Sequence, residues 1–293
     1  MPELTTVIIV AADSGASLRD CVTRALASSA TVEIVVADNA SRDGVPRDVA
    51  RAYASDARVH VAYNDANLGF GPAVNIAARL ARGDAIVVLN PDCMLDPDTV
   101  SRLLDVLRGY PDAGVIGAVV CDEHGDPDPA SRRRDPLLRR SLNEMTGCAK
   151  RDAGAAHEGV GVPGPIPDHV IEVENISGAL MLIPRGVFDR LGGFDERYFL
   201  HCEDLDLCRR ARDAGFKVLL AGNVRVLHAK GGSSAHRPVF VSYHKHRGMW
   251  RWFRKFDPAA RRPLLRALVA IGIAAHFTAT APLVAARRRN GRT

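Results

Sequence analysis

The chain has 293 residues, of which 47% are hydrophobic, 25% charged and 5% aromatic. This composition is typical of a soluble globular protein of one or two domains with a large core. The six cysteines contain no C-x-x-C pair, and no basic segment opens the chain. We therefore expect reduced thiols in a cytosolic protein, without a disulfide framework or a signal peptide.

The net charge of +5 is unevenly distributed along the chain. Residues 1–235 hold 26 Lys and Arg against 33 Asp and Glu, whereas residues 236–293 hold 13 against one. An acidic body followed by a basic tail indicates a separate anionic surface or partner for the tail. A solvated basic end without a partner is the alternative interpretation.

Strand and helix patterns alternate through the first 120 residues. Apolar and β-branched residues predict strands at 6–11, 32–37, 59–63 and 85–89. Apolar residues at helical spacing predict helices at 17–28, 46–54 and 73–82. This alternation is the pattern of right-handed βαβ crossovers, so we predict an α/β fold with a doubly wound sheet.

The second half of the chain is less regular. A helix at 97–109 and a strand at 113–120 precede a segment rich in Gly, Pro, Asp and Arg from about 122 to 170. A long irregular segment of this kind is usually functional or disordered, and we expect a flexible insertion. Order resumes with strands at 177–184, 217–220 and 224–228 and helices at 185–191 and 203–214.

One apolar run ends at a polar turn that carries a carboxylate. Residues 85–89 are apolar without interruption, which is typical of a strand buried on both faces, and Asn90-Pro91-Asp92 follows. Ligands of open α/β sheets bind beyond the carboxyl ends of such strands. Asp92 is therefore placed to meet a charged substrate or a metal, although a surface turn explains this tripeptide equally well.

Three carboxylates and one histidine stand out in the second half. Glu203, Asp204 and Asp206 begin a predicted helix, where the helix dipole favours acidic residues, so capping accounts for one or two of them. The loop before them is apolar and aromatic, and a carboxylate at the rim of an apolar pocket is suited to act as a base. A lone histidine is more often structural, but the position of His228 at a strand end favours a site.

Six motifs in a fixed order resemble those of family 2 glycosyltransferases with a GT-A fold. They are DNAS (38–41), NLGFGPAVNIA (67–77), VVLNPD (87–92), SGALMLI (177–183), GGFDERYFLHCEDLDLCRRARDAGF (192–216) and VLHAKGGSS (226–234). Within that family the chain is most similar to bacterial dTDP-rhamnosyltransferases of cell-envelope polysaccharide assembly, over residues 5–235.

The resemblance implies a mostly parallel mixed sheet flanked by helices, with a basic helical extension at 236–293. It divides the catalytic domain, residues 1–235, into three parts. These are a nucleotide-binding half at about 1–120, the insertion at about 122–170 and an acceptor half at about 171–235.

The resemblance also implies where the nucleotide-sugar donor and a metal bind. The donor is expected to contact Val10, Ala11, Asp38, Asn67, Gly69, Asn75, Asn90 and Asp92. Asp38 matches the carboxylate that accepts a hydrogen bond from the N3–H of the pyrimidine base. Asn90 stands where the family's D-x-D motif has its first carboxylate, so Asp92 and a matched histidine, His228, are left to bind Mn²⁺ or Mg²⁺.

The implied chemistry is a single inverting displacement. Asp204 matches the family's catalytic base, with Glu203 as a supporting residue and Asp206 as a helix-capping or supporting group. The base removes the proton from an acceptor hydroxyl, whose oxygen then displaces the nucleoside diphosphate. The acceptor side is expected to include Gly178, Phe194 and Tyr198.

The basic tail interleaves aromatic residues with cations at 243–256 and is mostly apolar at 264–286. We predict amphipathic helices on the anionic inner face of the cytoplasmic membrane, with Trp250 and Trp252 at the interface. Such a tail would bring the site to a polyprenyl-diphosphate-linked glycan acceptor. The alternative is a helical hairpin packed on the catalytic domain or in a homodimer. Nucleic-acid binding is disfavoured because no recognised motif accompanies the cations.

Two other classes of protein remain open from the sequence. A nucleotide-sugar binding module without catalysis is disfavoured by the joint presence of Asp92, Asp204 and His228. An NAD-dependent oxidoreductase requires G-x-G-x-x-G after the first strand, where residues 11–16 contain one glycine. Rhamnose from dTDP-rhamnose is the best-matched donor, with UDP-hexoses and UDP-galactofuranose as alternatives.

Overall fold

The computed structural model of the protein describes residues 4–148, 158–229 and 237–290. The strands in these ranges are β1 (Thr5–Ala11), β2 (Val32–Asp38), β3 (Val59–Tyr63), β4 (Ala85–Leu89), β5 (Cys93–Met94), β6 (Ala113–Cys121), β7 (Val170–Glu172), β8 (Leu180–Pro184) and β9 (Lys217–His228). The helices are α1 (Ser17–Leu26), α2 (Val45–Ala52), α3 (Phe70–Leu80), α4 (Thr99–Gly109), α5 (Leu138–Met145), α6 (Arg185–Leu191), α7 (Glu203–Asp213), α8 (Pro238–Phe256) and α9 (Pro263–Asn290).

The strands form one mixed sheet in the order β3-β2-β1-β4-β8-β6-β9-β5, with β7 paired to β9. The strands β1, β2, β3 and β4 are mutually parallel, so their carboxyl ends lie at one edge of the sheet. β8 runs antiparallel between β4 and β6, and β9 is parallel to β6. The predicted α/β class, a mixed sheet flanked by helices, is confirmed.

Two apolar layers cover the two faces of the sheet. Neighbouring residues of β1 enter different layers, Ile9 on one face and Ile8 on the other. The first layer includes residues of α1 and α4, and the second includes residues of α3, α6 and α7. All residues of β1, β2 and β4 are buried, which explains why their sequences are apolar without alternation.

The strand β9 replaces two separate strands predicted at 217–220 and 224–228. Its register against β6 shifts between Ala118 and Val119, whose partners are Ala221 and Arg225. The three residues between these partners form a bulge, and their Gly222-Asn223 sequence produced the predicted break. The second part of β9 then pairs with the short strand β5.

The helix α3 begins at Phe70, three residues before the predicted start. Gly69 precedes it with φ +95°, and a Cβ at this position would stand 2.5 Å from the Phe199 carbonyl oxygen. Phe70 N–H donates to that same oxygen at 2.9 Å. Glycine is therefore required both by its backbone conformation and by the close approach of the loop that contains Phe199.

The segment from 122 to 170, predicted to be a flexible insertion, is organised by polar contacts where the structure describes it. It contains α5, and the Arg133 backbone pairs with both Gly161 and Asn175. Asp135 is 3% exposed and accepts hydrogen bonds from Arg209 and Arg212 of α7 at 3.0 and 2.6 Å. Contacts of this kind leave no helical or strand periodicity in the sequence.

The first tail helix, α8, packs on the catalytic body. Trp252 is fully buried, in a cluster with Tyr198, Cys202 and Leu205. The prediction that Trp252 lies at a membrane interface is therefore wrong, because its ring belongs to the core. This half of the tail follows the alternative interpretation, a helix packed against the catalytic domain.

The second tail helix, α9, folds back along α8 but stays largely exposed. Tyr243 contacts Phe277 edge-on at 5.9 Å, and His246 Nε2 lies 2.8 Å from His276 Nδ1. Its large apolar residues Leu264, Leu268, Ile271 and Leu283 are all more than half exposed. Among the described helices, α9 contains a stretch, Pro263–Leu283, that is long and apolar enough to cross a membrane.

Candidate active site

The carboxyl ends of β1, β2 and β3 carry a hydrogen-bonded loop. Ala11, Asp38 and Tyr63 lie side by side in register at this edge. Asp38 Oδ1 accepts from Ser41 N–H at 2.8 Å, which orients the carboxylate. The following residue, Asn39, is 2% exposed and its amide contacts Asn64 Nδ2, Asn67 Oδ1 and Gly69 O at 3.0, 3.2 and 2.9 Å.

A cleft of about 730 Å³ opens beside this loop. It is lined by Asp38, Ala40, Ser41, Arg47, Ala50, Arg51, Ala54, Tyr63, Asn64 and Asp65. The Tyr63 side chain is about half exposed there, so its ring offers an aromatic surface next to the Asp38 carboxylate. The cleft thus combines a flat ring and a hydrogen-bond acceptor, which complement a nucleobase, with cations that complement a phosphate.

The residues Asp92 and His228 meet where β5 pairs with β9. Cys93 lies opposite His228 in the register, which puts Asp92 Oδ1 2.9 Å from His228 Nε2. One ligand atom each of Asp92, Cys93 and His228 lies within 4.8 Å of the others. Burial raises the pKa of the Cys93 thiol well above its usual range, so the thiol is neutral and poorly suited to a hard cation.

The pair Glu203-Asp204 follows a strained turn. His201 and Cys202 have φ of 67° and 69°, a left-handed conformation that residues with a side chain adopt rarely. Gly248 of α8 packs against this turn, and a Cβ there would stand 2.7 Å from the His201 carbonyl oxygen. The tail helix therefore supports the backbone that sets the direction of both carboxylates.

The Asp204 carboxylate is held by three hydrogen bonds. Oδ2 accepts from Arg133 Nη2 at 2.7 Å and from Gly178 N–H at 3.2 Å, while Oδ1 accepts from Leu205 N–H at 2.8 Å. A Cβ on Gly178 would stand 3.1 Å from Asp204 Cβ, so the glycine permits this approach. The Asp204 side chain remains 15% exposed and is open to an incoming group.

The Asp204 site and the Asp92 site share one edge of the sheet. Asn90 N–H, at the end of β4, donates to the carbonyl oxygen of Ala179 at 2.9 Å. Ala179 follows Gly178, whose N–H binds Asp204, and Asn90 precedes Asp92 by two residues. The Asp204 carboxylate, the Asp92–His228 pair and the loop at Asp38 therefore lie along the same edge of the sheet.

The buried partner of Asp204, Glu203, has different properties. Burial, reinforced by the neighbouring Asp204 charge, raises the pKa of Glu203 to about 8. Its Oε2 atom has no hydrogen-bond partner within the described ranges. Asp206 is fully buried and lies 2.5 Å from Arg210 Nε and 2.6 Å from Lys255 Nζ, so it ties α7 to α8.

Three residues predicted to touch donor or acceptor instead hold the loop at 192–199. Asn75 Oδ1 accepts from Phe194 N–H and its Nδ2 donates to Phe194 O, both at 2.9 Å. Phe194 and Tyr198 are 2% and 1% exposed, packed on the interior side of that loop. The expectation that these two rings line an acceptor surface is not met, because neither ring reaches solvent; Phe199 beside them is partly exposed.

The sequence did not predict roles for Asn39, Arg133 and Gly248. Asn39 lies in a motif quoted for its neighbour Asp38, so a signal for it existed. Arg133 lies in a run of three arginines within the irregular segment, where nothing distinguishes it from Arg132 or Arg134. Gly248 is an isolated glycine in a helix and becomes meaningful only when the turn at His201 lies against it.

The sequence matches one protein-family model and is similar to known rhamnosyltransferases. Residues 6–159 match the model of glycosyl transferase family 2. The chain is 31% identical over 277 residues to the N-acetylglucosaminyl-diphospho-decaprenol L-rhamnosyltransferase of Mycobacterium tuberculosis H37Rv, covering 86% of this chain and 88% of the relative. It is 28% identical over 172 residues to the rhamnosyltransferase WbbL of Escherichia coli K12, covering 55% of this chain and 60% of that protein.

Solved structures share the fold at low sequence identity. The mannosyltransferase PcManGT from Pyrobaculum calidifontis, in complex with GDP-Man and Mn²⁺, is similar over 99% of this chain and 79% of its own, with a TM-score of 0.60 and 20% identity. GalNAc-T7 with UDP, GalNAc and Mn²⁺ is similar over 78% of this chain and 43% of its own, with a TM-score of 0.60 and 16% identity.

Proposed function

The chain belongs to glycosyltransferase family 2, and we propose that it transfers L-rhamnose from dTDP-rhamnose to a polyprenyl-diphosphate-linked glycan. The mycobacterial relative, similar over most of both chains, carries a name with this sugar and this kind of acceptor. The observation that carries the proposal is the shared rim at which Asp204 and the Asp92–His228 pair lie, since a nucleotide-sugar must be met there by a base and by a diphosphate-binding group.

The nucleoside of the donor lies in the cleft beside Asp38. The thymine ring packs on Tyr63. Asp38 Oδ2, the carboxylate oxygen that does not bind Ser41 N–H, accepts the N3–H of the base. Asn39 supports this arrangement because its buried amide fixes the loop that includes Asn67 and Gly69. Val10 and Ala11 are buried, so their contribution to donor binding is made by backbone atoms.

A divalent cation is held by Asp92 and His228. A carboxylate oxygen, an imidazole nitrogen and the diphosphate oxygens of the donor form a ligand set that suits Mn²⁺ or Mg²⁺. The cation, when bound, neutralises the negative charge that accumulates on the leaving diphosphate. Asn90 contributes its backbone to the rim rather than a second carboxylate.

Asp204 acts as the general base. The contacts of Oδ2 with Arg133 and Gly178 and of Oδ1 with Leu205 leave one lone pair of Oδ1 for the acceptor hydroxyl. Oδ1 takes the proton of the acceptor hydroxyl while the hydroxyl oxygen forms a bond to the anomeric carbon of rhamnose. The bond to dTDP breaks on the opposite face, so the configuration at that carbon inverts and the electron pair leaves with dTDP.

The exposed helix α9 binds the anionic inner face of the membrane. Its large apolar residues are exposed, Arg261-Arg262 precede it, and Arg287-Arg288-Arg289 lie in its last turn. Cations beside an exposed apolar helix complement anionic lipids. Truncation before Pro263 should remove binding to phosphatidylglycerol vesicles while the thermal unfolding of the remaining body stays cooperative. If the full-length protein does not bind such vesicles and sediments as a dimer, the partner of α9 is a second copy of the chain and not the membrane.

The transfer reaction tests the proposal directly. The purified full-length protein is incubated with N-acetylglucosaminyl-diphospho-decaprenol, MnCl₂ or MgCl₂, and one of dTDP-rhamnose, UDP-glucose, UDP-galactofuranose or GDP-mannose. Mass spectrometry should find a deoxyhexose added from dTDP-rhamnose, and NMR of the product should find the anomeric configuration inverted. Addition of a hexose from another donor, with no reaction of dTDP-rhamnose, would overturn the assignment.

A further inference from the structure

A line of aromatic rings leads from the active-site loop to α9. Phe199 stacks on His244 of α8, with ring centroids 4.3 Å apart, and meets Phe240 edge-on at 5.5 Å. Tyr243 contacts His244 at 5.2 Å and Phe277 of α9 at 5.9 Å. We refer to these five residues as the aromatic strip. One end lies in the loop before Asp204, and the other end lies on the exposed helix.

The strip presents an uncharged surface to solvent. Phe240 and Tyr243 are 39% and 47% exposed, although rings of this size usually gain free energy by burial. His244 is 9% exposed, and its pKa is lowered by burial and by the nearby Arg247 cation. Its ring is therefore neutral at physiological pH and continues the apolar surface between Phe240 and Tyr243.

Cations lie at the end of the strip that is close to the base. Lys245 lies three residues before Gly248 on α8, and Gly248 packs against the His201 carbonyl oxygen, so Lys245 lies close to the side of α8 that meets the turn before Asp204. Lys245 is exposed and follows His244 directly, whereas the Arg133 guanidinium is committed to Asp204. Lys245 is thus available to an anionic group that arrives beside the strip.

The order of these groups matches the order of groups in a lipid-linked sugar. Resting on the proposed acceptor class, we infer that the aromatic strip binds the isoprenoid chain of the acceptor and that Lys245 binds its diphosphate. The sugar hydroxyl must reach Asp204, the diphosphate is attached to that sugar, and the isoprenoid chain follows it. The protein offers a carboxylate, then a cation, then a row of rings, and finally a helix fit for the membrane that holds the rest of the chain.

The shape of the strip favours a chain over a protein partner. A stable protein interface needs a broad patch of roughly 800 Å² on each partner. The rings instead form a narrow row, in which Phe199, Phe240 and His244 are in mutual contact and Tyr243 connects His244 to Phe277 of α9. A branched hydrocarbon chain makes dispersion contacts along such a row without covering the flanks.

Chain-length dependence tests the inference. The Michaelis constant is measured in mixed detergent micelles for N-acetylglucosamine diphosphate linked to decaprenol and to geraniol. The wild-type protein should have a lower KM for the decaprenyl acceptor than for the geranyl acceptor. In the double variant Phe240→Ser/Tyr243→Ser, the ratio of the two KM values should shrink roughly tenfold. Lys245→Gln should raise KM for both acceptors but leave KM for an octyl N-acetylglucosaminide unchanged.

The matched control is Tyr110→Ser. Tyr110 is 38% exposed and precedes β6, at the edge of the sheet opposite the active site, so the variant should keep the wild-type preference. Thermal unfolding of each variant is measured to verify that the fold is kept. A preference equal in wild type and double variant would overturn the inference while the proposed function stands. Transfer to the octyl glycoside but to neither diphosphate-linked acceptor would overturn both the inference and the proposed acceptor.

Discussion

The donor side and the acceptor side of the active site are positioned by different physical means. On the proposed donor side, Asp38 ends and Asp92 follows a strand whose residues are all buried, so packing of the strand fixes where each carboxylate lies. On the acceptor side, Asp204 follows a left-handed turn and is held by Arg133 from the irregular segment. Its position depends on individual polar contacts between distant parts of the chain.

The donor side and the acceptor side should respond differently to a single substitution. Buried strands distribute their stabilisation over many side chains, so loss of one polar group at a strand end leaves the strand in place. A carboxylate that has one guanidinium as its charged partner is oriented less firmly when that guanidinium is removed, and the carboxylate is then left without a counter-ion. We therefore expect donor-side substitutions to change binding alone and acceptor-side substitutions to change chemistry and stability together.

The largest effect is expected from Asp204→Asn. The amide cannot accept the acceptor proton, and general-base catalysis contributes about 10²- to 10⁴-fold, so kcat should fall by that factor. Calorimetric titration with dTDP should give a dissociation constant close to that of the wild type, because Asp38 and Asp92 are untouched. The control is Asp213→Asn at the far end of α7, where the carboxylate pairs with Arg209 and is half exposed. Wild-type turnover in Asp204→Asn would remove the assignment of the base.

Asp92→Asn should act on the donor side alone. Replacing one charged ligand of the cation should weaken manganese-dependent dTDP binding about 10²-fold, since His228 is left without its carboxylate partner. Titrations with MnCl₂ and with EDTA measure the difference. In EDTA, the variant and the wild type should bind dTDP equally weakly. A variant that retains full manganese-dependent binding would show that Asp92 does not hold the cation.

Arg133→Gln should show the coupling that is particular to the acceptor side. The guanidinium supplies one of the three hydrogen bonds that orient the Asp204 carboxylate, so its loss should lower kcat about tenfold while KM for dTDP-rhamnose stays unchanged. Arg132→Gln is the matched control, because the Arg132 guanidinium contacts backbone carbonyls of residues 163–165. An unchanged kcat together with a lower melting temperature would reduce Arg133 to a structural role.

The sequence predicted the donor half well because its determinants are local. Runs rich in apolar and β-branched residues identified β1, β2 and β4, and the parallel arrangement then placed Asp38 and Asp92 at one edge. The start of α3 was missed by three residues because it depends on the distant Phe199, not on residues near Gly69. Two strands were predicted in place of β9 for a different reason, because the residues of its bulge have a sequence that is typical of a turn.

The acceptor half was predicted less completely because its contacts join distant residues. Arg133 and Asp204 are separated by 71 positions, and no periodicity links them. Trp252 was predicted to lie on a membrane because aromatic residues alternate with cations around it, whereas its burial depends on Tyr198 and Leu205. Aromatic residues near cations are compatible with a membrane interface and with a packed helix, and the pattern alone does not separate these two environments.

The smallest effect on activity is expected from Glu203→Gln, whose main effect concerns stability. Burial raises the pKa of Glu203 to about 8 from an ordinary value of about 4.3, so the folded protein binds a proton that the unfolded chain has released between these values. The stability that Glu203 contributes is fully present below about pH 4.3 and is lost as the pH rises through about 8. Glutamine cannot ionise, so the stability of the variant should rise relative to that of the wild type between pH 5 and pH 9, by roughly a few kcal/mol. Urea unfolding at the two pH values measures this gain. Glu123→Gln, at an exposed turn, should show no change, and a Glu203→Gln difference that is the same at both pH values would mean that Glu203 is already ionised in the fold.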